Sequence, residues 1–308
     1  MVTKTQITLI LVVGIGIQSF GAILTRLAGE MSPVAIAAFR MIFSSMLLLG
    51  YARLTPGQPD RARPSGHPLI LCLLSGVFLA AHFVCWIFSL QYTSVAASVV
   101  IVNMNAFFVG VISSLFFKEK LQAKLLLGMV IAFAGCTILT VNAPDFNGFD
   151  LATSGAMRGN VLALMGALAS AAYIAIGSRV RQTISLVSYI TTVYTTAALL
   201  LIGLCTLLDI SFTGYGATTY LYVFLMAAGP QLVGHSAVNW ALKHMNSALV
   251  AVTKMGEPIF SALLAWLFFS ELITPGQIPG ILCIFTGIII ALVYEKPGRP
   301  SHRTTPIE

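Results

Sequence analysis

The sequence predicts an all-α membrane protein of ten transmembrane helices, built as two inverted five-helix repeats. Three observations carry that expectation. Of the 308 residues, 57% are apolar and 9% charged, with a mean hydropathy of +0.92, whereas soluble domains average roughly 45–50% apolar and 25% charged. Ten apolar runs long enough to cross a bilayer follow one another with short polar breaks. The first half of the chain also recurs, loosely, in the second.

The ten runs are 7–26, 33–52, 69–90, 95–116, 122–142, 157–178, 186–208, 218–240, 247–269 and 277–294. Lys4 before the first run resembles the start of a signal peptide, but no A-x-A cleavage site follows, so the run reads as span one. The breaks carry turn and charge signals such as AGEMSP, APDFNGFD and SELITPG. Their shortness makes sequential spans antiparallel neighbours. The tail 295–308 is polar and reads as disordered. The domain reading is a first repeat over 1–150, a second over 151–294 and a cytoplasmic tail over 295–308.

Ten spans leave both termini on one side. If that side is the cytoplasm, thirteen basic residues lie inside: Lys4, Arg53, Arg61, Arg63, Lys118, Lys120, Lys124, Arg179, Arg181, Lys243, Lys296, Arg299 and Arg303. Only Arg26 and Arg158 lie outside, and Arg40 and Lys254 fall within spans. The positive-inside bias sets this orientation. It also accounts for the net charge of +7 without a nucleic-acid partner, leaving the lipid bilayer as the surrounding partner. The five cysteines sit singly in apolar runs, with no metal spacing, and read as helix-packing residues. No cofactor is expected.

The repeat aligns HFVCWIFSLQYTS at 82–94 with HSAVNWALKHMNS at 235–247, so His82 faces His235. After a one-residue deletion, Phe116-Phe117-Lys118-Glu119 faces Phe268-Phe269-Ser270-Glu271, Gly128 faces Gly280, and Gly135 faces Gly287. Each half holds five spans, an odd number, so the second half crosses the membrane in the opposite sense. Inverted repeats place a binding site near the midplane, between the halves, which points to a secondary transporter.

Span nine carries the most informative residues. Lys254, Glu257 and Pro258 interrupt an apolar helix, and two uncompensated charges at mid-membrane would cost about 5–7 kcal/mol. Three positions apart, Lys254 and Glu257 share a helix face. They form either a structural clasp or a substrate- or proton-handling element, Lys254 drawing a carboxylate and Glu257 an amine or a proton. Pro258 leaves a carbonyl without its helical donor and is the expected helix break. By the repeat, Asn105 stands where Glu257 stands, and Val102 where Lys254 stands. Asn103 and Asn105, two apart, are expected on different faces, with Asn105 the better candidate for the pathway.

Further candidates are Trp86, Tyr173, Asn239 and Trp240 as cavity walls, Trp86 and Tyr173 before the other two. His82 and His235 are candidates for proton coupling beside Glu257, since histidine titrates near neutral pH. Each has a packing alternative. Arg40, near enough to the outer face to snorkel, is read as a residue that ties helices together, with substrate contact as the alternative. Arg26 and Arg179 are read as interface anchors, and Glu119 and Glu271 as loop residues. Gly128, Ala132, Gly135, Gly280 and Gly287 are read as close-packing faces.

The chain resembles the EamA-like branch of the drug/metabolite transporter superfamily. The residues that carry the likeness are Pro33 and Arg40, Trp86, Leu90-Gln91-Tyr92-Thr93, Glu119, Gly128 and Gly135 in the first half. In the second half they are Trp240-Ala241-Leu242, Glu257-Pro258, Glu271, Gln277, Gly280 and Gly287. The resemblance implies a central cavity lined by helices one, three, four, six, eight and nine. It also implies a small-molecule substrate, often an amino acid or related compound, and efflux, in a bacterial inner membrane. Uptake or exchange of an anionic metabolite through Lys254 is the alternative. One departure is that span four reads VNMNAFF, with no proline, which weakens any expectation of matched helix bends. A membrane-embedded enzyme is the remote rival. No HExxH or GxSxG motif supports it, and Asp60, Asp145, Asp150 and Asp209 all fall in predicted loops.

Overall fold

The computed structural model describes residues 2–54, 64–93, 95–117, 121–143 and 154–294. Among these are ten helices long and apolar enough to cross a membrane, and no strand. Span one is Lys4–Leu27, span two Pro33–Leu54, span three Gly66–Tyr92, and span five Ala123–Val141. Span four comprises Val95–Asn103 and Asn105–Phe117. Span six is Ser154–Val180, span seven Leu186–Leu207, and span eight runs from Ala217 to Ala241. Span nine comprises Ser247–Lys254 and Glu257–Phe269, and span ten is Ile278–Tyr294. Glu119, Asp60, Asp145, Asp150, Ser94, the basic residues 61, 63, 118 and 120, and the tail 295–308 lie outside the described residues.

Local chemistry sets the helix starts. Thr3 accepts a hydrogen bond from the Gln6 amide while the Gln6 side chain accepts from the Thr3 amide, a capping box that opens span one. Asn246 accepts from the Ala248 amide at 2.9 Å and opens span nine. Lys4 Nζ donates to the Leu292 carbonyl, so the start of span one and the end of span ten lie at the same end of the bundle.

Packing follows the repeat. Span three packs along span six, and its mate under the repeat, span eight, packs along span one; spans two and seven, four and nine, and five and ten meet their own repeat mates. That pattern is what a two-fold relation between five-helix halves requires. The seam between spans five and ten has almost no room. A Cβ added at Gly128 would lie 2.6 Å from the Gly287 carbonyl oxygen, and one at Gly135 2.7 Å from that of Gly280. With lipid as apolar as leucine, such contacts hold membrane helices together by close packing.

Two features differ from the sequence reading. Span four is interrupted although it has no proline. Met104 N bonds Ile101 O at 3.1 Å and Phe107 N bonds Met104 O at 3.0 Å, a three-residue turn that divides the helix. Its repeat mate does the same, with Met255 N on Val252 O and Gly256 N on Thr253 O, both at 3.0 Å. The bends therefore match. Pro258 lies in the first turn of the segment after the second break, where its missing N–H has no helical acceptor to lose. The second feature is in span eight, whose middle, Ala227–His235, widens into a π-helix around Pro230. A proline cannot donate to the preceding turn, and a wider turn relieves the clash of its ring.

Candidate functional site

A cavity of about 280 Å³ opens between the halves at the level of the two breaks. Spans one, three, four, six, eight and nine contribute Gln18, His82, Trp86, Asn103, Asn105, Ser170, His235, Lys254 and Glu257. Arg40 adds span two to the wall. The lining climbs to Glu271, Leu272 and Gln277, at the end of the bundle away from the termini. Toward the terminus side, spans four and nine touch through the Ser113 and Ser247 hydroxyls, 2.7 Å apart.

The helix breaks free backbone groups that must find partners in a medium without water. Ser19 Oγ, bonded to the Ile15 carbonyl at 2.9 Å, also reaches the carbonyl of Glu257, the first residue of the helix after the break, at 3.3 Å. Cys136 Sγ lies 3.5 Å from the Met255 carbonyl as a weak donor. Gly234 makes the first arrangement sterically possible: a Cβ there would meet the backbone of Gln18 at 2.9 Å. Span one thus lies close enough to span eight for Gln18 to face span nine.

Glu257 accepts a hydrogen bond from Gln18 Nε2 at 2.7 Å. It does not clasp Lys254. Among the described residues the single ion pair within 4.0 Å joins Arg26 to Glu271, and the Lys254 ammonium donates no hydrogen bond to any of them. Lys254, Glu257 and Arg40 nevertheless line the same cavity. Of the two alternatives left open by the spacing of Lys254 and Glu257, the ion-pair clasp is not formed, and Glu257 takes a neutral partner from span one instead. The reason is geometric: the helix breaks between the two residues, so the shared face of an unbroken helix is lost.

The same reasoning explains the asparagines. Asn103 and Asn105 both line the cavity, which two residues two apart on a regular helix would not do; the break at Met104 resets the helical phase. Asn105 is 5% exposed and donates to Ser170 Oγ at 3.2 Å.

His82 lies against the Gly166 carbonyl at 2.9 Å through Nδ1. A carbonyl only accepts, so Nδ1 carries the proton. The ring stacks on Trp86, centroids 6.4 Å apart and planes 10° apart. His235 meets Phe83 edge-on at 6.3 Å. Tyr173 lies elsewhere. It is buried, lines neither this cavity nor its neighbour, and donates to Asn239 Oδ1 at 2.8 Å. Trp240 packs against His244, centroids 4.5 Å apart.

Arg40 does not snorkel. It is 6% exposed, donates through Nε to Gln231 Oε1 at 2.7 Å, and lies 4.9 Å above the Phe83 ring. With Phe83 and Trp86 it also walls a second, mostly apolar cavity of about 140 Å³ that reaches Pro33 and Met226. Arg26 and Glu271, read as an anchor and a loop residue, form the ion pair already noted, with Arg26 over the Phe269 ring at 4.2 Å. Arg181, counted among the loop cations, is buried and donates to the Asn239 carbonyl at 3.2 Å. Gln18, which lines the cavity, and Gln231, which holds Arg40, are the residues that the sequence reading passed over. A glutamine inside an apolar span is the signal that could have marked both.

Similar proteins agree on the class. The pseudopaline exporter CntI of Pseudomonas aeruginosa strain UCBPP-PA14 is 25% identical over 274 residues, covering 88% of this chain and 89% of that protein. The uncharacterized transporter YetK of Bacillus subtilis strain 168 is 21% identical over 276 residues, covering 88% and 82%. One crystal structure superposes with a TM-score of 0.78 at 17% identity, over 94% of this chain and 98% of that one, which speaks to the fold alone. The family model described as the EamA-like transporter family matches residues 4–141 and again 157–293. With that match over both halves, the chain belongs to the EamA-like transporter family and is an integral membrane transporter, not an enzyme.

Proposed function

We propose that this transporter moves a small polar metabolite, an amino acid or a related compound, by alternating access at the cavity between the repeats, in the direction of efflux. The observation that carries the reading is the cavity itself. Both halves contribute polar side chains to it at matched helix breaks: Asn103 and Asn105 from one, Lys254 and Glu257 from the other. Binding at the junction of inverted repeats lets the two halves rock about a fixed site. The direction rests on likeness to a protein named as an exporter. In this reading the units that rock are 1–150 and 151–294, the termini are cytoplasmic, and the membrane is a bacterial plasma membrane. Glu257, His82 and His235, which share the cavity, are the groups through which protons would couple to transport.

A second reading, uptake or exchange of an anionic metabolite, is favoured by one observation: the Lys254 ammonium lines the cavity with no hydrogen-bonded partner among the described residues. Counterflow in proteoliposomes, with a panel of amino acids, organic anions and organic cations, separates the two. Folded protein that exchanges none of these solutes refutes transport of a small polar metabolite. Rates that ignore an imposed pH gradient of either sign remove proton coupling.

A further inference from the structure

We propose that the cavity selects a small zwitterion with two carboxylates and one amine, and that Arg40 is a specificity-determining residue that takes the second carboxylate. The inference rests on the transport reading above and narrows its substrate class. Its basis is the inventory of unused donors and acceptors. Apart from the two imidazoles, the ionisable groups deep in the cavity are Arg40, Lys254 and Glu257. Glu271, nearer the mouth, is already paired with Arg26. Two cations and one carboxylate leave a net positive cavity at a depth where an unmatched charge costs several kcal/mol.

Each group has capacity directed at the cavity. A guanidinium carries five N–H donors in a planar fork. Arg40 uses Nε on Gln231, rests its face on Phe83, and makes no hydrogen bond through its terminal amino groups among the described residues. That fork suits a carboxylate bound through two oxygens. Lys254 presents an ammonium with three donors, suited to a carboxylate as a compact charge. Glu257 receives Gln18 on Oε2, which leaves Oε1 for a ligand ammonium. A ligand with two carboxylates and one amine is the simplest one that satisfies all three. The size agrees, since about 280 Å³ lies just below the roughly 300–1,000 Å³ of pockets for drug-sized ligands.

The test uses L-glutamate, L-glutamine and succinate as probes, in proteoliposome counterflow and in melting of nanodisc-embedded protein. Wild type is expected to prefer L-glutamate at least tenfold over both L-glutamine, which lacks the second charge, and succinate, which lacks the amine. Arg40→Gln is expected to cut the glutamate-to-glutamine ratio at least tenfold while glutamine exchange persists, and Arg40→Lys to restore part of it. A purely structural Arg40 would lower both solutes together. Equal handling of glutamate and glutamine by wild type, or an unchanged ratio in Arg40→Gln, overturns the proposal. Absence of exchange for every solute would defeat the transport reading instead. The melting shift then decides the inference by itself: wild type stabilised by L-glutamate more than by L-glutamine supports it, and equal shifts overturn it.

Discussion

Adding one methyl group at Gly280 should loosen the seam between spans five and ten by an amount that can be anticipated. The new Cβ would lie 2.5 Å from the Leu139 amide nitrogen and 2.7 Å from the Gly135 carbonyl oxygen, whereas ordinary contact begins near 3.4 Å. The shortfall is about 0.9 Å, and the obstructing atoms are backbone, which cannot rotate away. Overpacking of this kind costs about 1–3 kcal/mol. Replacing a helical glycine by alanine returns about 1 kcal/mol of helix propensity, so the net loss for Gly280→Ala is about 0–2 kcal/mol against wild type and about 1–3 kcal/mol against a glycine-to-alanine change that meets no clash. Gly203 serves as the control, because nothing lies within 4 Å of its added Cβ; Gly203→Ala should be neutral or slightly stabilising. Gly135→Ala presses on the same seam, 2.6 Å from the Ile284 amide nitrogen. One separation of the helices relieves both clashes, so the double variant should cost less than the sum of the singles. Unfolding free energies in bicelles, measured by steric trapping, read all three quantities. A Gly280→Ala protein as stable as Gly203→Ala, or fully additive losses, would refute the seam argument.

Two further outcomes follow from the site. Lys254→Ala removes no ion pair in this structure, so it should leave the melting temperature within a few degrees of wild type while lowering counterflow at least tenfold; recovery of transport in Lys254→Ala/Glu257→Ala would restore the clasp reading. Tyr173→Phe leaves the buried Asn239 Oδ1 without its donor, which costs about 1–3 kcal/mol of stability. Because Tyr173 lines neither cavity, its order of preference among solutes should stay that of wild type, and a reordered panel would place Tyr173 at the substrate.

The sequence made most of the bundle legible because bilayer length and charge act locally. Span starts at Pro33, Leu186 and Ser247 follow from helix-start chemistry that any reader of the chain can see. The glycine seam was legible for a similar reason. Gly128, Gly135, Gly280 and Gly287 recur seven apart on two helices related by the repeat, and their mutual approach needs no information beyond that spacing. What stayed hidden depends on partners distant in the chain. Glu257 bonds Gln18, 239 positions away, and Arg40 bonds Gln231, 191 positions away; neither pair leaves a trace in local periodicity. The break at Met104 was hidden for a different reason. Proline is the obvious sign of a broken helix, and span four breaks with three-residue hydrogen bonds and no proline at all.

That proline-free break bears on why span four lines the site with amides and span nine with charges. The repeat fixes where each helix breaks, since both breaks fall at corresponding depth, at Met104 and at Met255–Gly256. It does not fix what lines them. If both breaks carried a lysine and a glutamate, the cavity would be symmetric about the pseudo-two-fold, and a small asymmetric ligand would bind equally well in two opposed orientations. Amides at Asn103 and Asn105 remove one of those orientations while still satisfying polar groups at membrane depth. The charged break at Lys254 and Glu257, set opposite the amides of span four and joined by Arg40 from span two, thus gives the cavity an uneven charge pattern, in which an asymmetric ligand has one favoured orientation.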